Sequence, residues 1–315
     1  MNRTQKLRLV TRGGFFLLFI LAPPLDLFRY DLTQGHFIIL GQAWTLGIES
    51  DPQAQLSMNV LLRGLLPVLA FVALALWIAW RYGRLYCGWL CPHFSVVQII
   101  NGLMRRACGR LSLWDNTALP EAQADGTRIT PSSAWWLMVI PAVIGFALLW
   151  AVSLLTYLLP PLEIWHNLVH ATLTRNQTSF IAVGTALFII EFTFARHLFC
   201  RYGCAVGLFQ SLAWMGNRKA LVVKFDHRHA RACASCDASC EHACPMRLKP
   251  RGSKRRMWSC TQCQLCVQAC ENVNASHDPP SVLVMASGPD ALERPLAHAG
   301  KHGQAADPAG SHNRY

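Results

Sequence analysis

Charged residues are scarce in this chain, and acidic residues are the scarcer kind. Asp, Glu, Lys and Arg make up 15% of the 315 residues, against 52% hydrophobic residues, and 17 acids stand against 29 Lys and Arg. An ordinary soluble domain carries about 25% charged residues. The composition therefore excludes such a domain and indicates a basic membrane protein.

Several motifs of cofactor and nucleic-acid binding are also missing from the sequence. It has no C-x-x-C-H, the attachment motif of c-type haem, and its apolar segments contain no histidine pair suited to b-type haem. It has no G-x-G-x-x-G, so nothing indicates a nicotinamide or flavin on a Rossmann unit. No nucleic-acid motif accompanies the positive charge, so we expect no nucleic-acid partner.

Long apolar runs predict membrane crossings. Segments 65–80, 135–159 and 180–199 are poor in charge and about long enough to span a bilayer. A fourth segment, 15–28, is shorter and contains two prolines and an aspartate. Because no small-x-small cleavage site follows it, we interpret it as a retained, kinked first span rather than a signal peptide.

The distribution of charge predicts the topology. Segment 81–133 has six Arg against three acids, and segment 200–258 has twelve Lys or Arg against three acids. Segment 29–58 has one Arg against three acids, and segment 159–179 has one of each sign. Basic loops stay in the cytoplasm and attract anionic lipids. We therefore expect a four-span, multi-pass protein of a bacterial inner membrane, with both termini cytoplasmic and with membrane lipids as partners.

A weak internal repeat is visible at the ends of two spans. Segment 85–92 reads LYCGWLCP, and segment 198–205 reads LFCRYGCA, 113 residues later. Each copy precedes an amphipathic stretch, 93–107 or 206–216, suited to lie at the membrane surface. If each copy is helical, its two cysteines lie four residues apart on one face. We call these pairs the first thiol motif (Cys87 and Cys91) and the second thiol motif (Cys200 and Cys204).

These four cysteines and one carboxylate are the candidate catalytic residues. The thiols are suited to hold a metal ion or a further cluster, or to exchange thiol and disulfide; the alternative is simple packing of buried cysteine. Glu191 lies within the last apolar run, where a carboxylate is costly and is a candidate for proton release beside a quinone. Its alternative is a structural pair with Arg196 or Arg63.

Two cysteine runs follow the membrane segments. The second run has the spacing C-x-x-C-x-x-C-x-x-x-C, with which bacterial ferredoxins bind [4Fe–4S] clusters. The first run has one extra residue between Cys236 and Cys240, and Glu271 replaces the proline that usually follows the last cysteine. Zinc is the rival ligand, since C-x-x-C pairs also bind zinc tetrahedrally.

In two-cluster ferredoxins the fourth cysteine of each run ligates the other cluster. The resemblance to that pattern implies two interleaved ligand sets. One cluster would be bound by Cys233, Cys236, Cys240 and Cys270. The other would be bound by Cys244, Cys260, Cys263 and Cys266.

Over residues 10–285 the chain resembles the membrane ferredoxin-type proteins. That group includes the H subunit of periplasmic nitrate reductase systems, the nitrous oxide reductase regulator, the methylamine-utilisation ferredoxin-type protein and the accessory protein of cb-type oxidase assembly. Segment 84–92 is the most specific match outside the cysteine runs, while Ala205 replaces the proline expected after the second thiol motif. The resemblance implies electron transfer between the quinone pool, or a membrane redox protein, and a respiratory or metal-handling partner.

We therefore expect an α-helical membrane protein with a small α+β domain like a two-cluster ferredoxin. The expected domains are a membrane domain (1–222), a ferredoxin-type domain (223–286) and a disordered tail (287–315). The expected function is electron transfer by two [4Fe–4S] clusters, with quinol dehydrogenase as the corresponding enzyme activity. The alternative is a metal reductase or assembly factor that handles copper for a respiratory oxidase, with the two thiol motifs as its metal site.

Overall fold

A computed structural model of the chain describes residues 2–46, 57–115, 118–234, 236–275 and 281–289. Most of these residues are helical. The tail predicted to be disordered lies outside the described residues, apart from its first three.

The N-terminal segment forms a helix and then a small sheet. Helix α1 (Arg3–Leu21) begins at Asn2, whose side chain accepts a hydrogen bond from the Gln5 amide at 3.1 Å, and it ends just before two consecutive prolines, which cannot continue a helix. An antiparallel meander follows, made of the strands β1 (Phe28–Asp31), β2 (His36–Ile39) and β3 (Gln42–Trp44). The expected first span, 15–28, is thus half of a helix, a turn and the start of a strand.

The first copy of the repeat comes next. A π-helical turn, Val60–Leu65, leads into helix α2 (Leu66–Tyr82). The short helix α3 (Leu85–Trp89) is followed by α4 (Pro92–Cys108), which corresponds to the first predicted amphipathic stretch.

The second copy repeats this order. Helix α5 (Trp136–Thr156) and the short α6 (Pro161–Val169) precede α7 (Arg175–Ile190). Residues 191–203 remain helical but irregular and include two π-helical turns. Helix α8 (Ala205–Gly216) follows and corresponds to the second predicted amphipathic stretch.

Three helical stretches in the described residues are long and apolar enough to cross a membrane. They are Ser57–Tyr82, Ser133–Thr156 and Arg175–Gly203, and they contain the three longer runs predicted from sequence. The stretch that contains α2 keeps its apolar side chains exposed; Phe71, for example, is 73% exposed. Such a surface suits lipid rather than water, which suggests a membrane protein. Helix α1 is not among the three, because its first half carries four Lys and Arg.

Helix packing in the membrane part relies on small and branched residues. Val96 and Ile100 of α4 are buried against Val139 and Val143 of α5. Helices α5 and α7 approach closely where Gly184 meets Ala151, because a side chain at 184 would press on the alanine methyl at 3.3 Å.

The cysteine-rich segment lies between the two strands of a small sheet. Strand β4 (Val222–Phe225) pairs antiparallel with β5 (Leu283–Ala286), and the helices α9 (Ser239–His242) and α10 (Leu265–Val273) lie between them in sequence. Its core includes Met246 and Phe94, the latter from α4. The domain is therefore packed directly on the membrane part, not tethered to it.

Candidate functional site

The eight cysteines of the two runs surround two cavities. The first cavity is lined by Cys233, Cys236, Cys240 and Cys270. The second cavity is lined by Cys244, Cys260, Cys263 and Cys266. These are the two interleaved sets that the ferredoxin pattern implies, so the fold brings each set together around one space.

Tight backbone turns wrap the ligand loops around the cavities. Ala238, Arg247, Gln262 and Gln264 all have positive φ, between 54° and 62°, which non-glycine residues rarely adopt. Such strain concentrates at functional sites, where the surrounding structure holds it. Here it turns each loop sharply enough for closely spaced cysteines to line one cavity.

Nitrogen donors point at two of the thiols. The Leu248 amide donates to Cys244 Sγ at 3.4 Å, and Asn274 Nδ2 donates to Cys270 Sγ at 3.5 Å. Hydrogen bonds to cysteine sulfur stabilise the thiolate form and raise the reduction potential of a cluster that it ligates. The donors therefore suit a site for thiolate ligands.

Burial opposes the charged form of these thiols while no metal compensates it. It raises the pKa of Cys260 and of Cys240 to about 12, and that of Cys244 to about 11. A metal ligand must be a thiolate, so binding of a metal or cluster releases these protons. Occupancy of these sites therefore requires a centre that binds thiolate strongly enough to offset this cost.

The zinc alternative requires thiols that converge on one point. Among the described residues, no group of three or more His, Cys, Asp or Glu side chains could hold a single metal ion. The cysteines instead line two cavities.

Neither thiol motif is a continuous helix. The two cysteines of each motif therefore do not share one helical face. Helix α3 ends at Trp89, and Cys91 immediately precedes α4, with its amide bonded to the Tyr86 carbonyl at 2.9 Å. Cys204 likewise precedes α8, with its amide bonded to the Phe199 carbonyl at 2.9 Å. Pro92 follows the first motif, but Ala205 follows the second. The break in the helix therefore does not require a proline.

The two thiol motifs lie side by side. Arg84, only 1% exposed, donates from Nη2 to the carbonyl oxygen of Cys200, and a side chain at Gly207 would overlap its guanidinium group. Its Nε and Nη1 have no hydrogen-bond partner in the described part of the chain. Arg84 is thus a buried cation between the two copies of the repeat.

The first thiol motif lies in this cationic, buried setting. Burial raises the pKa of the Cys87 thiol, and the charge of Arg84 partly opposes that rise. Burial, with smaller contributions from the neighbouring Cys87 and Cys204, raises the pKa of Cys91 to about 12. Cysteines that the sequence separates by more than a hundred residues are therefore neighbours in the fold.

The second cavity lies against the first thiol motif. The Gln262 carbonyl accepts a hydrogen bond from Trp89 Nε1 at 3.1 Å, and the Cys263 carbonyl accepts one from Gln5 Nε2 at 2.9 Å. Arg8 Nε donates to the Gly88 carbonyl at 2.8 Å. Sequence reasoning missed Gln5 and Arg8, because helix α1 gives no local sign of what it contacts.

Glu191 pairs with a histidine, and not with either arginine named in the structural alternative. His93 Nε2 lies 3.3 Å from Glu191 Oε1, while Glu191 Oε2 is buried with no partner in the described residues. Arg63 lies in the π-helical turn before α2, at the far end of that span from α3. Arg196 is buried, and its three guanidinium nitrogens have no partner among the described atoms.

The π-helical turn that begins at Glu191 is held by the loop after α4. Trp114 Nε1 donates to the Phe194 carbonyl at 2.9 Å, which satisfies a backbone group at the irregular turn. Such turns are frequent at functional sites. The only sequence sign of His93 was its position two residues after Cys91.

Comparison with known proteins supports an iron–sulfur electron-transfer family. A family model described as "4Fe-4S binding domain" matches residues 65–110 and 176–221. Each match contains one thiol motif and none of the eight cysteines of the two later runs. The two copies seen in the sequence are therefore both similar to one known domain type.

Three relatives extend this comparison. The chain is 25% identical over 65% of its length to "Putative electron transport protein YccM" of Escherichia coli, and it spans about half (53%) of that protein. It is 22% identical over 86% of its length to an uncharacterized Methanocaldococcus jannaschii protein, MJ0750, covering 94% of it. A second one, MJ0749, is 24% identical over 65% of this chain and 64% of its own length. No solved structure matches the chain.

Proposed function

We propose that this chain is a membrane-bound electron-transfer protein that holds two [4Fe–4S] clusters in its cysteine-rich domain. The observation that carries the proposal is the pair of cavities, each lined by four cysteines drawn from both runs. A cluster supplies one-electron transfer without bond making. The chain supplies the thiolates, the N–H donors to sulfur and the exclusion of water by burial.

Four crossings of the membrane remain part of this proposal. The N-terminal half of α1 lies beside the cysteine-rich domain, through Gln5 and Cys263. Farther along, Phe19 packs on Trp150, and the β1 amide of Tyr30 bonds to the Tyr157 carbonyl at the far end of α5. The segment thus runs between the same two ends as α5, which supports a first crossing. Together with the basic loops, a first crossing puts both termini of the proposed protein in the cytoplasm of a bacterial inner membrane.

The electron source or sink on the membrane side would be the quinone pool or a membrane redox protein. Two-electron oxidation of a quinol releases two protons, and His93 and Glu191 form a partly buried acid–base pair beside the thiol motifs. A respiratory partner would complete the path. The pair supports this proposal because the buried Oε2 of Glu191 has no partner among the described residues, and such a group is costly within a membrane span.

Chemical analysis and single substitutions test the two clusters. We expect about eight iron and eight sulfide per purified chain, since two cubes of four irons are proposed. Cys236→Ser and Cys263→Ser should each lower the content to about half, with electron paramagnetic resonance showing one remaining cluster. Cys108→Ser, outside both sets, is the matched control. Zinc in place of iron, or no loss in either variant, would contradict the proposal.

A metal-handling role, such as reduction of copper for a respiratory oxidase, is the second candidate. It is favoured by the adjacency of the two thiol motifs, with Cys87 buried and its Sγ donating to Gln210 Oε1 at 3.7 Å. Copper reduction by the wild type and by Cys87→Ser separates the two candidates. Equal rates would remove the direct role of this thiol.

A further inference from the structure

Two buried arginines lie where the second cavity meets the membrane part. Arg8 of α1 is 4% exposed and Arg84 is 1% exposed. Neither forms an ion pair within the described residues, and the oxygens that accept their hydrogen bonds are neutral carbonyl or amide oxygens. A buried charge without an opposite charge is costly, so these two cations stand out in the structure.

Hydrogen bonds connect Arg8 to the ligand loop of the second cavity. Arg8 Nη1 donates to Gln5 Oε1 at 3.3 Å, and Gln5 Nε2 donates to the Cys263 carbonyl at 2.9 Å. Arg8 Nε donates to the Gly88 carbonyl at 2.8 Å, and Gly88 lies against the Thr261 carbonyl. The guanidinium charge is thus one side chain away from the loop that carries Cys263.

Arg84 reaches the same loop from the first copy of the repeat. The residue before it, Gly83, lies beside Gln262, because a side chain at 83 would come within 3.1 Å of Gln262 Nε2. Burial raises the pKa of Cys260 to about 12, and the charge of Arg84 partly opposes that rise. Arg84 and Arg8 therefore approach one ligand loop from two different elements.

Two other arginines beside ligand cysteines are paired with acids. Arg251 lines the first cavity, and its Nη2 donates to Glu241 Oε1 at 2.8 Å. Arg247, three residues after Cys244, forms a two-bond ion pair with Asp115. An adjacent opposite charge cancels most of the field of each arginine, whereas nothing cancels the field of Arg8 or Arg84 in this way.

Acidic residues collect at the first cavity. Three of its four cysteines are each followed directly by an acid, and none of the second cavity's four is; the acids are Asp237, Glu241 and Glu271. Glu241 and Glu271 are half-buried, whereas the two arginines in the segment before Cys233 are exposed and more strongly screened by water. The two N–H···S bonds are divided evenly, one to each cavity. Charge therefore distinguishes the surroundings of the two cavities.

We propose that Arg8 and Arg84 give the cluster of the second cavity the higher reduction potential, so that a single electron on the chain rests there. The proposal rests on the proposed function, because it concerns the two clusters assigned by it. Reduction adds one electron to a cluster, with no bond made or broken. A buried cation stabilises the added negative charge, and net charge is among the factors that set the potential of a cluster. The electron then rests beside the first thiol motif.

The order of the two potentials is measured on the full chain in detergent. Cys236→Ser retains the second cluster and Cys263→Ser retains the first, so a redox titration of each variant, followed by electron paramagnetic resonance, gives each potential separately. We expect the second cluster to be higher by about 59 mV or more, which is a tenfold preference for one electron. Equal potentials, or the reverse order, would overturn the proposal.

Charge variants test whether an arginine sets this order. In the Cys236→Ser background, Arg8→Gln should lower the remaining potential, whereas Arg8→Lys, which keeps the charge and changes the hydrogen bonds, should not. Lys6→Gln is the matched control, because it removes the same charge from an exposed position two residues away on α1. Equal shifts for Arg8→Gln and either of the other two variants, or no shift for Arg8→Gln, would contradict the role of the buried charge.

A variant at the first cavity keeps the test decisive if Arg8→Gln does not fold. In the Cys263→Ser background, Glu241→Gln removes an acid and leaves the charge of Arg251 unpaired, so it should raise the potential of the first cluster. An unchanged or lower potential would count against the proposal. Iron and sulfide content reports separately on the proposed function: two clusters of equal potential refute only this inference, and a chain without iron refutes both.

Discussion

Gly88 occupies a place where only a hydrogen atom fits. It lies within the first thiol motif, and a side chain there would overlap the backbone carbonyl of Thr261, in the loop between two cysteines of the second cavity. Backbone atoms cannot yield as the end of a flexible side chain can. A single missing Cβ thus permits the contact between the thiol motif and the cysteine-rich domain.

Gly88→Ala should therefore displace the Cys260–Gln264 loop. We expect a loss of stability of about 1–3 kcal/mol, as for other overpacked sites, together with lower iron content. Unfolding in detergent and iron analysis measure both. Gly102→Ala is the control, because nothing lies within 4 Å of the added methyl and α4 should gain slightly. Identical behaviour of the two variants would refute the contact.

Gly207 plays the matching part in the second copy of the repeat, where it leaves room for the buried guanidinium of Arg84. Gly207→Ala should force Arg84 away from the Cys200 carbonyl and destabilise the contact between the copies by about 1–3 kcal/mol. Gly216→Ala, at the other end of α8 with open space around it, should have little effect. Thermal unfolding of the two variants tests this prediction, and equal unfolding temperatures would contradict it.

At the scale of elements, the small sheet is attached to the end of α5 by backbone bonds and held internally by one carboxylate. Burial acts to raise the pKa of Asp31, but hydrogen bonds from Thr33 and Arg29 outweigh it and lower the pKa to about 2. Arg29 Nη1 donates to Asp31 Oδ2 at 2.8 Å. The sheet is thus stabilised by the ionised form of Asp31.

The sign of the pH dependence follows from this lowered pKa. The contribution of Asp31 is complete above its ordinary value of 3.8 and is lost as the pH falls toward 2. Limited proteolysis of residues 28–44 should therefore speed up between about pH 4 and pH 2 in the wild type. Asp31→Asn should be cleaved faster at neutral pH and change less over that interval. Parallel curves for the two proteins would disprove this role.

At the scale of the molecule, the topology depends on α1. Its polar half lies beside the cysteine-rich domain, and the sheet that follows lies at the far end of α5. If α1 crosses, the turn between β1 and β2 is outside the cytoplasm, whereas the turn near Gly126 is inside.

Alkaline phosphatase, which is active only outside the cytoplasm, distinguishes these positions. Inserted after Gln34, in the turn between β1 and β2, it should be active. Inserted after Asp125, in the loop that contacts the cysteine-rich domain, it should be inactive. Inactive reporters at both positions would place the sheet in the cytoplasm and reduce the crossings to three.

The sequence by itself predicted the long apolar helices and the amphipathic helices after each thiol motif. Those features depend on local composition and periodicity, which a single segment carries. The resemblance to two-cluster ferredoxins also implied the two ligand sets that the fold gathers around two cavities. Assignment of clusters to them stays a prediction.

Only the tertiary structure decided which distant groups meet. His93 lies beside Glu191, where one alternative placed an arginine; Arg84 lies between the two copies, and Gly88 admits the Thr261 carbonyl. The structure also shows that neither thiol motif meets the condition of one continuous helix. These outcomes depend on packing between segments far apart in the chain, where shape and buried charge prevail over local propensity.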